Sequence, residues 1–347
     1  MIVVMKQEAT QADVDHVVAR IEELGLGSHL IVGSERTVVG VVGKTYPDLR
    51  QMFETLNNVD EVVPISKPYK LSSREFNPPD TIIDVRGVKI GGGNTVVMAG
   101  PCSVESEEQL MQTARAVRAA GAHILRGGAF KPRTSPYQFR GMGEDGLKLL
   151  KAASEETGMP VITEVMSQRD VDLIARYADI LQIGARNMQN YNLLEECGRA
   201  NKPVMLKRAL SGEIQEWLLC AEYIIAQGNR QVMLCERGIR TFETATRNTM
   251  DLSAIPLIKR LSHLPIIADP SHGTGKWYLV EAMAKASVAA GADGIMVEVH
   301  PNPDHALSDG AQSLTFESFS QMMHSLDLVG NALGHPLAKV SEAAARV

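Results

Sequence analysis

The sequence predicts a (β/α)8 barrel preceded by a small α+β sandwich. Three observations carry this reading. From Val96 onward, eight short apolar strand cores alternate with helix-like segments. Several of those segments end in a glycine just before the next strand. Residues 1–68 instead follow a β-α-β-β-α-β order. A length of 347 residues accommodates two domains at about 100–200 residues each. The chain is 44% hydrophobic and 22% charged. That balance is near the globular average and excludes wholesale disorder.

The elements follow in order. Ile2 to Met5 is a short apolar strand. Val14, Val17, Val18, Ile21 and Leu24 recur at helical spacing, and Gly25 is a natural stop. His29 to Val32 and Thr37 to Val42 are β-branched runs around a Gly33-Ser34-Glu35-Arg36 turn. Pro47 suits the first turn of a helix that carries Leu49, Met52, Phe53 and Leu56 on one face. Val59 to Ile65 closes the set, and the order is that of a ferredoxin-like sandwich. This stretch has no cluster of Cys, His or carboxylates. It is expected to sense a small molecule or to form an oligomer surface, not to catalyse.

Tyr69 to Asp80 is polar with a double proline and reads as a linker, residues 69–80. Thr81 to Val96 reads as a hairpin turning at Gly91-Gly92-Gly93-Asn94. The strand cores are then Val96–Ala99, Ile124–Leu125, Val161–Thr163, Ile180–Ile183, Val204–Leu206, Val232–Leu234, Ile266–Ala268 and Ile295–Val297. Helix-like segments such as Glu107–Ala120, Glu144–Thr157 and Glu213–Gln227 separate them, with Gly121, Gly158, Gly228 and Gly291 at ends. Strands this apolar are buried on both faces, as in an all-parallel sheet. Eight such units over about 250 residues fit a TIM barrel, residues 81–330. A doubly wound open sheet is the alternative, but no G-x-G-x-x-G follows the first strand. Residues 331–347 form an Ala-rich tail with no assigned role.

Lys plus Arg number 35 against 41 Asp plus Glu, a net charge of −6. This argues against nucleic acid or anionic lipid as the main partner. No apolar run approaches the ~18 residues of a membrane span, and the N-terminus lacks signal-peptide features. The four cysteines (Cys102, Cys197, Cys220 and Cys235) form no disulfide framework and no C-x-x-C pair. A cytoplasmic, reduced protein is expected.

In a TIM barrel the active site lies at the C-terminal strand ends. A cationic set gathers there: Arg126, Lys131, Arg133, Arg186, Lys207, Arg208 and Arg237. Guanidinium groups clamp carboxylates and phosphates in bidentate fashion, so the substrates are expected to be multiply anionic. For any one of these residues, pairing with a local carboxylate is as good a reading. For the set it is poor, because enclosed unpaired cations repel one another.

The second set is metal-binding in kind: Cys102, His272, Glu298 and Asp309. A thiolate, an imidazole and two carboxylates suit one divalent ion such as Mn, Fe, Co or Zn. Units one, seven and eight adjoin when a barrel closes, so these distant residues can meet. Taken singly, Cys102 reads as a buried thiol and His272 as a hydrogen-bonded loop residue. Other candidates are weaker. Gly273-Thr274-Gly275-Lys276 lacks the Ser/Thr and the earlier Gly of a phosphate loop. His300 suits a supporting position near the site, His305 reads as solvated, and Cys197, Cys220 and Cys235 read as packing.

Several segments carry a family resemblance. They are Gly100-Pro101-Cys102-Ser103-Val104-Glu105-Ser106, Lys131-Pro132-Arg133-Thr134-Ser135, Gly184-Ala185-Arg186-Asn187, Asp269-Pro270-Ser271-His272 and the Glu298/Asp309 pair. Together they resemble 3-deoxy-D-arabino-heptulosonate 7-phosphate (DAHP) synthase. The closer likeness is to the short-barrel type with an N-terminal ferredoxin-like regulatory domain. The resemblance spans nearly the whole chain.

It implies condensation of phosphoenolpyruvate with erythrose 4-phosphate, the first step of the shikimate pathway. By the same resemblance Arg126, Lys131, Arg186, Lys207 and Arg237 hold phosphoenolpyruvate. Arg133, Thr134 and Ser135 hold the aldose phosphate. The metal on Cys102, His272, Glu298 and Asp309 acts as a Lewis acid. Lys131 is the candidate proton donor to the new hydroxyl, and Glu164 the candidate for orienting water. Feedback inhibition by an aromatic amino acid and a homotetramer are further implications.

Three rivals stand beside this reading. A 3-deoxy-D-manno-octulosonate 8-phosphate synthase would take arabinose 5-phosphate, but carries Ala-Asn-Arg-Ser where this chain has Lys131-Pro132-Arg133-Thr134-Ser135. A Schiff-base aldolase would use Lys131 or Lys207 covalently and need no metal. A non-catalytic sensor would be expected to lose the ligand set, which is intact here.

Overall fold

The computed structural model describes residues 1–339 except 34, 35, 44, 47, 65–67, 132–134 and 136. The chain divides into two units, Met1–Lys70 and Leu71–Val347.

The first unit runs β1 (Ile2–Met5), α1 (Gln11–Glu23), β2 (Gly27–Val32), β3 (Thr37–Val42), α2 (Asp48–Glu54) and β4 (Val59–Val63). Its antiparallel sheet has the order β2-β3-β1-β4. Thr10 and Asp13 form a reciprocal capping box that starts α1. Val14, Val17 and Ile21 of α1, with Leu49 and Phe53 of α2, pack onto Val3, Met5, Val39 and Val41. Strand alternation places those four on one face of the sheet. Helix α2 ends before Leu56. Pro47, Ile65 and the turn residues Ser34 and Glu35 lie outside the described residues.

The second unit opens with a hairpin, β5 (Ile83–Val85) and β6 (Val88–Ile90). Its turn is at Arg86-Gly87, not at Gly91–Asn94 as the glycine run suggests. Arg86 and Gly87 both have positive φ, 52° and 87°, as a two-residue hairpin loop with the right twist requires. Asp84 Oδ1 accepts the Gly87 N–H at 2.8 Å, and Arg86 Nη1 donates to Ser154 Oγ at 2.8 Å. The glycine run instead joins β6 to the barrel, where a Cβ on Gly91 would stand 2.6 Å from Thr81 O.

Eight parallel strands then close a barrel. They are β7 (Val96–Gly100), β8 (Ile124–Arg126), β9 (Val161–Val165), β10 (Ile180–Ile183), β11 (Val204–Lys207), β12 (Val232–Glu236), β13 (Ile266–Ala268) and β14 (Gly294–Glu298). β14 pairs with β7 from Gly294↔Val96 to Glu298↔Gly100. The connecting helices are α3 (Glu107–Ala119), α4 (Glu144–Thr157), α5 (Val171–Tyr177), α6 (Tyr191–Arg199), α7 (Ile214–Ile225) and α8 (Ala254–Leu261). The short α9 (Pro270–Thr274), then α10 (Trp277–Ala289) and α11 (Phe316–Leu333), complete the unit. No helix among the described residues is long and apolar enough to cross a membrane.

The barrel interior is apolar at the end where the strands begin. Val96, Met98, Ile124, Ile162, Ile180, Met205, Met233, Cys235, Ile267 and Met296 cluster there with Ile83, Val85 and Ile90 of the hairpin. The hairpin thus stops that end. Part of the C-terminal segment joins it. Thr95 N–H donates to Pro336 O at 2.9 Å, and Ala338 N–H donates to Thr95 O at 3.0 Å. Residues 340–347 lie outside the described residues.

Strand side chains alternate, so the residue two beyond each interior apolar residue also points inward. Counting up from Ile124, Ile162, Ile180, Met205, Cys235, Ile267 and Met296 gives Arg126, Glu164, Gln182, Lys207, Arg237, Asp269 and Glu298. The next inward layer is therefore almost entirely polar. On β7 the matching residue is Gly100, where a Cβ would come within 2.0 Å of Arg126 O.

Candidate active site

Above that polar layer lies a cavity of about 300 Å³. Arg126, Lys131, Arg186, Lys207 and Arg237 line it together with Glu164, His272 and Asp309. Arg208 does not. It follows Lys207 directly, so alternation sends it outward, where it meets Glu236 Oε2 at 3.0 Å and Asp251 Oδ2 at 2.8 Å. Its guanidinium carbon stands 5.9 Å from the Trp217 ring centroid. The expectation that Arg208 joins the cationic mouth is therefore corrected. Ser135 is also absent from the lining, and its Oγ accepts the Tyr137 N–H at 3.4 Å. Arg133 and Thr134 lie outside the described residues.

The buried cations are partly neutralised by the carboxylates between them. Arg126 Nη1 donates to Pro101 O at 2.6 Å and lies 3.2 Å from Glu298 Oε1. Lys207 Nζ donates to Asp269 Oδ2 at 2.5 Å. Arg237 has no such carboxylate bond among the described residues; Nη1 donates weakly to Gly238 O at 3.4 Å. Burial holds its pKa below the usual arginine value, with Asp269 opposing. An anion entering the cavity would relieve that desolvation.

The second set converges at the edge of the same cavity. Ligand atoms of Cys102, Glu298 and Asp309 all lie within 4.8 Å of one another. Cys102 Sγ is 3.3 Å from Asp309 Oδ2, and Lys131 Nζ is 3.1 Å from Cys102 Sγ. Lys131 reaches that far by folding over Gly128, where a Cβ would stand 2.5 Å from Lys131 Cε.

His272 arrives on α9. Asp269 caps that turn by accepting the His272 N–H at 3.0 Å, and Pro270 occupies its first position. His272 Nδ1 stands 2.8 Å from Asp269 Oδ2, without the alignment of a hydrogen bond, and Nε2 stands 3.5 Å from Glu298 Oε1. One ring nitrogen thus faces a supporting carboxylate and the other faces the cluster.

The electrostatics agree with a cation site. Burial, aided by Glu298, pushes the Cys102 thiol up to about 11. Burial also lowers the His272 pKa, although Asp269 opposes it. Burial would raise Glu298 and Asp269, but His272 with Arg126, and His272 with Lys207, outweigh it and hold both carboxyls below their usual range. Asp309 is held low mainly by Arg247 and His272, again against burial. Glu298 Oε1 is buried and makes no hydrogen bond among the described residues, although Arg126 Nη1 lies 3.2 Å away as an ion pair. A carboxylate oxygen not fixed by a hydrogen bond, beside a thiol, an imidazole and a second carboxylate, suits a borderline divalent ion.

Gln182, Arg240, Arg247 and Asn248 belong to this neighbourhood and escape a reading by charge and strand ends alone, whereas Asp269 stands at a strand end but takes no role of its own in that reading; Gln182 and Asp269 are the two that alternation places. Each of those two lies two residues beyond an interior isoleucine. Arg240, Arg247 and Asn248 sit in the loop after β12, where no periodicity places them. His300 supports the loop carrying Asp309: its Nε2 lies 3.2 Å from Glu105 Oε2, and Glu105 Oε1 accepts the Leu307 N–H at 2.9 Å. The thiols of Cys197 and Cys220, both buried, are pushed up to about 12 by desolvation, and that of buried Cys235 is raised as well.

Comparison with known proteins gives a consistent result. Residues 71–332 match the model of the DAHP synthetase I family, and residues 1–67 match that of the DAHP synthase ferredoxin-like domain. The chain is 52% identical over 334 residues to the phospho-2-dehydro-3-deoxyheptonate aldolase of Thermotoga maritima, covering 96% of this chain and 99% of that relative. The crystal structure of a Thermotoga maritima phospho-2-dehydro-3-deoxyheptonate aldolase (DAHP synthase) superposes with a TM-score of 0.94 at 51% identity, covering 97% and 99% of the two chains. A 2-dehydro-3-deoxyphosphooctonate aldolase of Syntrophobacter fumaroxidans is 33% identical over 261 residues, which is 70% of this chain and 90% of that relative. With its barrel and its N-terminal sandwich both accounted for, the chain belongs to the DAHP synthetase I family, in the form that carries a ferredoxin-like N-terminal domain.

Proposed function

We propose that the chain condenses phosphoenolpyruvate with erythrose 4-phosphate to give DAHP and inorganic phosphate, the first step of the shikimate pathway, using one divalent metal ion per subunit. The observation that carries the metal reading is the meeting of Cys102, Glu298 and Asp309, with His272 against Glu298, beside a cavity lined by five of the expected cations. The acceptor sugar follows from family membership and from the Lys131-to-Ser135 segment.

Arg126, Lys131, Arg186, Lys207 and Arg237 bind the phosphate and carboxylate of phosphoenolpyruvate. Arg133, Thr134 and Ser135 bind the aldose phosphate, from the loop after β8. Cys102, His272, Glu298 and Asp309 would hold a divalent ion, which would supply Lewis acidity at the aldehyde oxygen. C3 of phosphoenolpyruvate forms the new bond to the aldehyde carbon. Water adds at C2, and the C2–O bond to phosphate then breaks. Lys131 Nζ, beside Cys102 Sγ, delivers a proton to the new hydroxyl oxygen. Glu164, which accepts from Gln182 Nε2 at 3.4 Å, orients the attacking water. Asp269 holds Lys207 and, by accepting the His272 N–H, anchors the turn that presents His272.

Phosphate release measured with each acceptor tests this reading. Release should require erythrose 4-phosphate, stop with EDTA and return with Mn²⁺ or Co²⁺. Arabinose 5-phosphate should support far less. Full activity in EDTA, or borohydride trapping of Lys131 or Lys207, would overturn the metal mechanism.

The N-terminal unit confers feedback inhibition by an aromatic amino acid, within a cytoplasmic homotetramer. The ferredoxin-like match over residues 1–67 supports an effector role. Deleting residues 1–70 should leave phosphate release intact and abolish inhibition by tyrosine or phenylalanine. A truncated enzyme inhibited like the full chain would refute that role.

A further inference from the structure

The loop between β12 and α8 supplies no strand, yet two of its residues reach the Asp309 segment and α9 directly, and β14 through Gln312. Arg247 Nη1 donates to Asp309 Oδ1 at 3.3 Å and to Gln312 Oε1 at 2.8 Å. Gln312 is buried, and its Nε2 donates to Glu298 Oε2 at 2.8 Å. Asn248 Nδ2 donates to His272 O at 2.9 Å, and Arg247 N–H donates to Thr274 O at 2.9 Å. We infer that Arg247, Asn248 and Gln312 form an outer frame that positions Asp309, Glu298 and His272 for the ion. This rests on the metal reading proposed above.

The division of the carboxylate oxygens carries the argument. The frame takes one oxygen of each carboxylate, Asp309 Oδ1 and Glu298 Oε2. The other oxygen of each faces the common centre. Asp309 Oδ2 lies 3.3 Å from Cys102 Sγ, and buried Glu298 Oε1 makes no hydrogen bond among the described residues, only charge contacts with Arg126 Nη1 at 3.2 Å and His272 Nε2 at 3.5 Å. Outer hydrogen bonds of this kind fix the rotation of a ligand group before the ion arrives. Gln312 suits its place because an amide both donates, to Glu298, and accepts, from Arg247. A carboxylate at 312 would lose the donor, and an apolar side chain would lose both.

The loop is also seated deliberately. Gly275, at φ +68°, leaves room for Arg247, whose Cβ would be 2.4 Å from a Cβ at 275. Gly238, at φ +85°, does the same for Asn248 at 2.7 Å. Two left-handed glycines, at which side chains are strained, thus accommodate the two framing residues.

The test titrates metal-free, full-length protein with Co²⁺ alone. Calorimetry reads affinity, and near-ultraviolet absorption reads the cobalt–thiolate bond. Arg247→Met and Gln312→Leu should each weaken binding by about 10–100-fold, the usual effect of losing an outer partner. The double variant should lose less than the product of the two, because both changes break one chain of hydrogen bonds. The thiolate band should persist at saturating Co²⁺, while the visible cobalt bands shift as the carboxylates rotate. Arg247→Lys keeps the charge and most of the packing, and stands in if Arg247→Met does not fold; it should bind more weakly than wild type. Binding within twofold of wild type by both Arg247→Lys and Gln312→Leu would overturn the frame. A wild type that takes no Co²⁺, or a thiolate band unchanged in Cys102→Ser, would instead sink the metal reading on which the frame rests.

Discussion

The two ends of the barrel use the same eight strands for opposite purposes. At the closed end, the inward residues are Ile, Met and Val with one Cys, and the hairpin packs onto them until Ile83 and Ile90 are about as buried as residues can be. Two residues further up, the inward layer consists of charged and amide side chains around an open cavity. Buried polar atoms without a hydrogen bond (Arg126 Nε, His272 Nδ1 and Glu298 Oε1) are found only at the open end among the described residues. One end lowers the free energy of the fold by removing apolar area from water. The other leaves polar groups under-satisfied, and those are the groups a ligand can use.

Substitutions at the two ends should therefore separate activity from stability. The largest effect is expected from Cys102→Ser at the open end. Loss of the proposed thiolate ligand should cut kcat/KM by about 10³-fold or more, in line with the several kcal/mol a Lewis acid contributes. The melting temperature of the metal-free protein should barely move. Ordinary turnover in this variant would remove Cys102 from the metal site.

Next in size is Ile90→Ala at the closed end, which empties a fully buried site under the barrel. It should cost about 2–5 kcal/mol in denaturant unfolding. At 25 °C the surviving native enzyme should keep its kcat/KM. A stable variant with impaired turnover would mean that the hairpin also shapes the mouth.

The smallest effects concern pH, and they run through different groups at the two ends. At the mouth, the thiol pushed up to about 11 must lose its proton to bind a cation, while His272, with its lowered pKa, is already neutral. Affinity for Co²⁺ should rise by up to about tenfold per unit between roughly pH 7 and 9. At the closed end, His123 Nδ1 accepts the Val97 N–H at 3.0 Å and Nε2 reaches Ala338 O at 2.6 Å, so the neutral ring is the fitted form. Burial lowers the His123 pKa. A depressed folded-state value contributes stability above the unfolded value of about 6.5, and that contribution is lost as pH falls through the folded one. The metal-free protein should thus lose stability on mild acidification. His123→Gln, with no group to titrate there, should flatten that dependence. An affinity indifferent to pH, or a variant as acid-sensitive as wild type, would break this part of the comparison.

Much of this was legible in the sequence, because a buried parallel strand writes itself as a short apolar run and the polar residues after it mark the mouth. Ile180–Ile183 and Ile266–Ala268 were bounded correctly for that reason. The hairpin turn was not. A run of three glycines is a stronger local signal than Arg86-Gly87, and only the packing of Ile83 and Ile90 under the barrel decides between them. Arg208 failed for a different reason: composition counts charges, whereas alternation decides which of two adjacent cations faces inward. The framing residues Arg247 and Asn248 were invisible because their position depends on contacts with α9 and with Gly238 and Gly275.

One consequence follows from the pairing of β14 with β7. Cys102 leaves the first staves of the ring, whereas His272, Glu298 and Asp309 belong to its last third. The proposed ion pocket therefore cannot exist in a growing or refolding polypeptide until its final stave docks beside its first. Appearance of the cobalt–thiolate colour during refolding would clock that seam, separately from the collapse that precedes it.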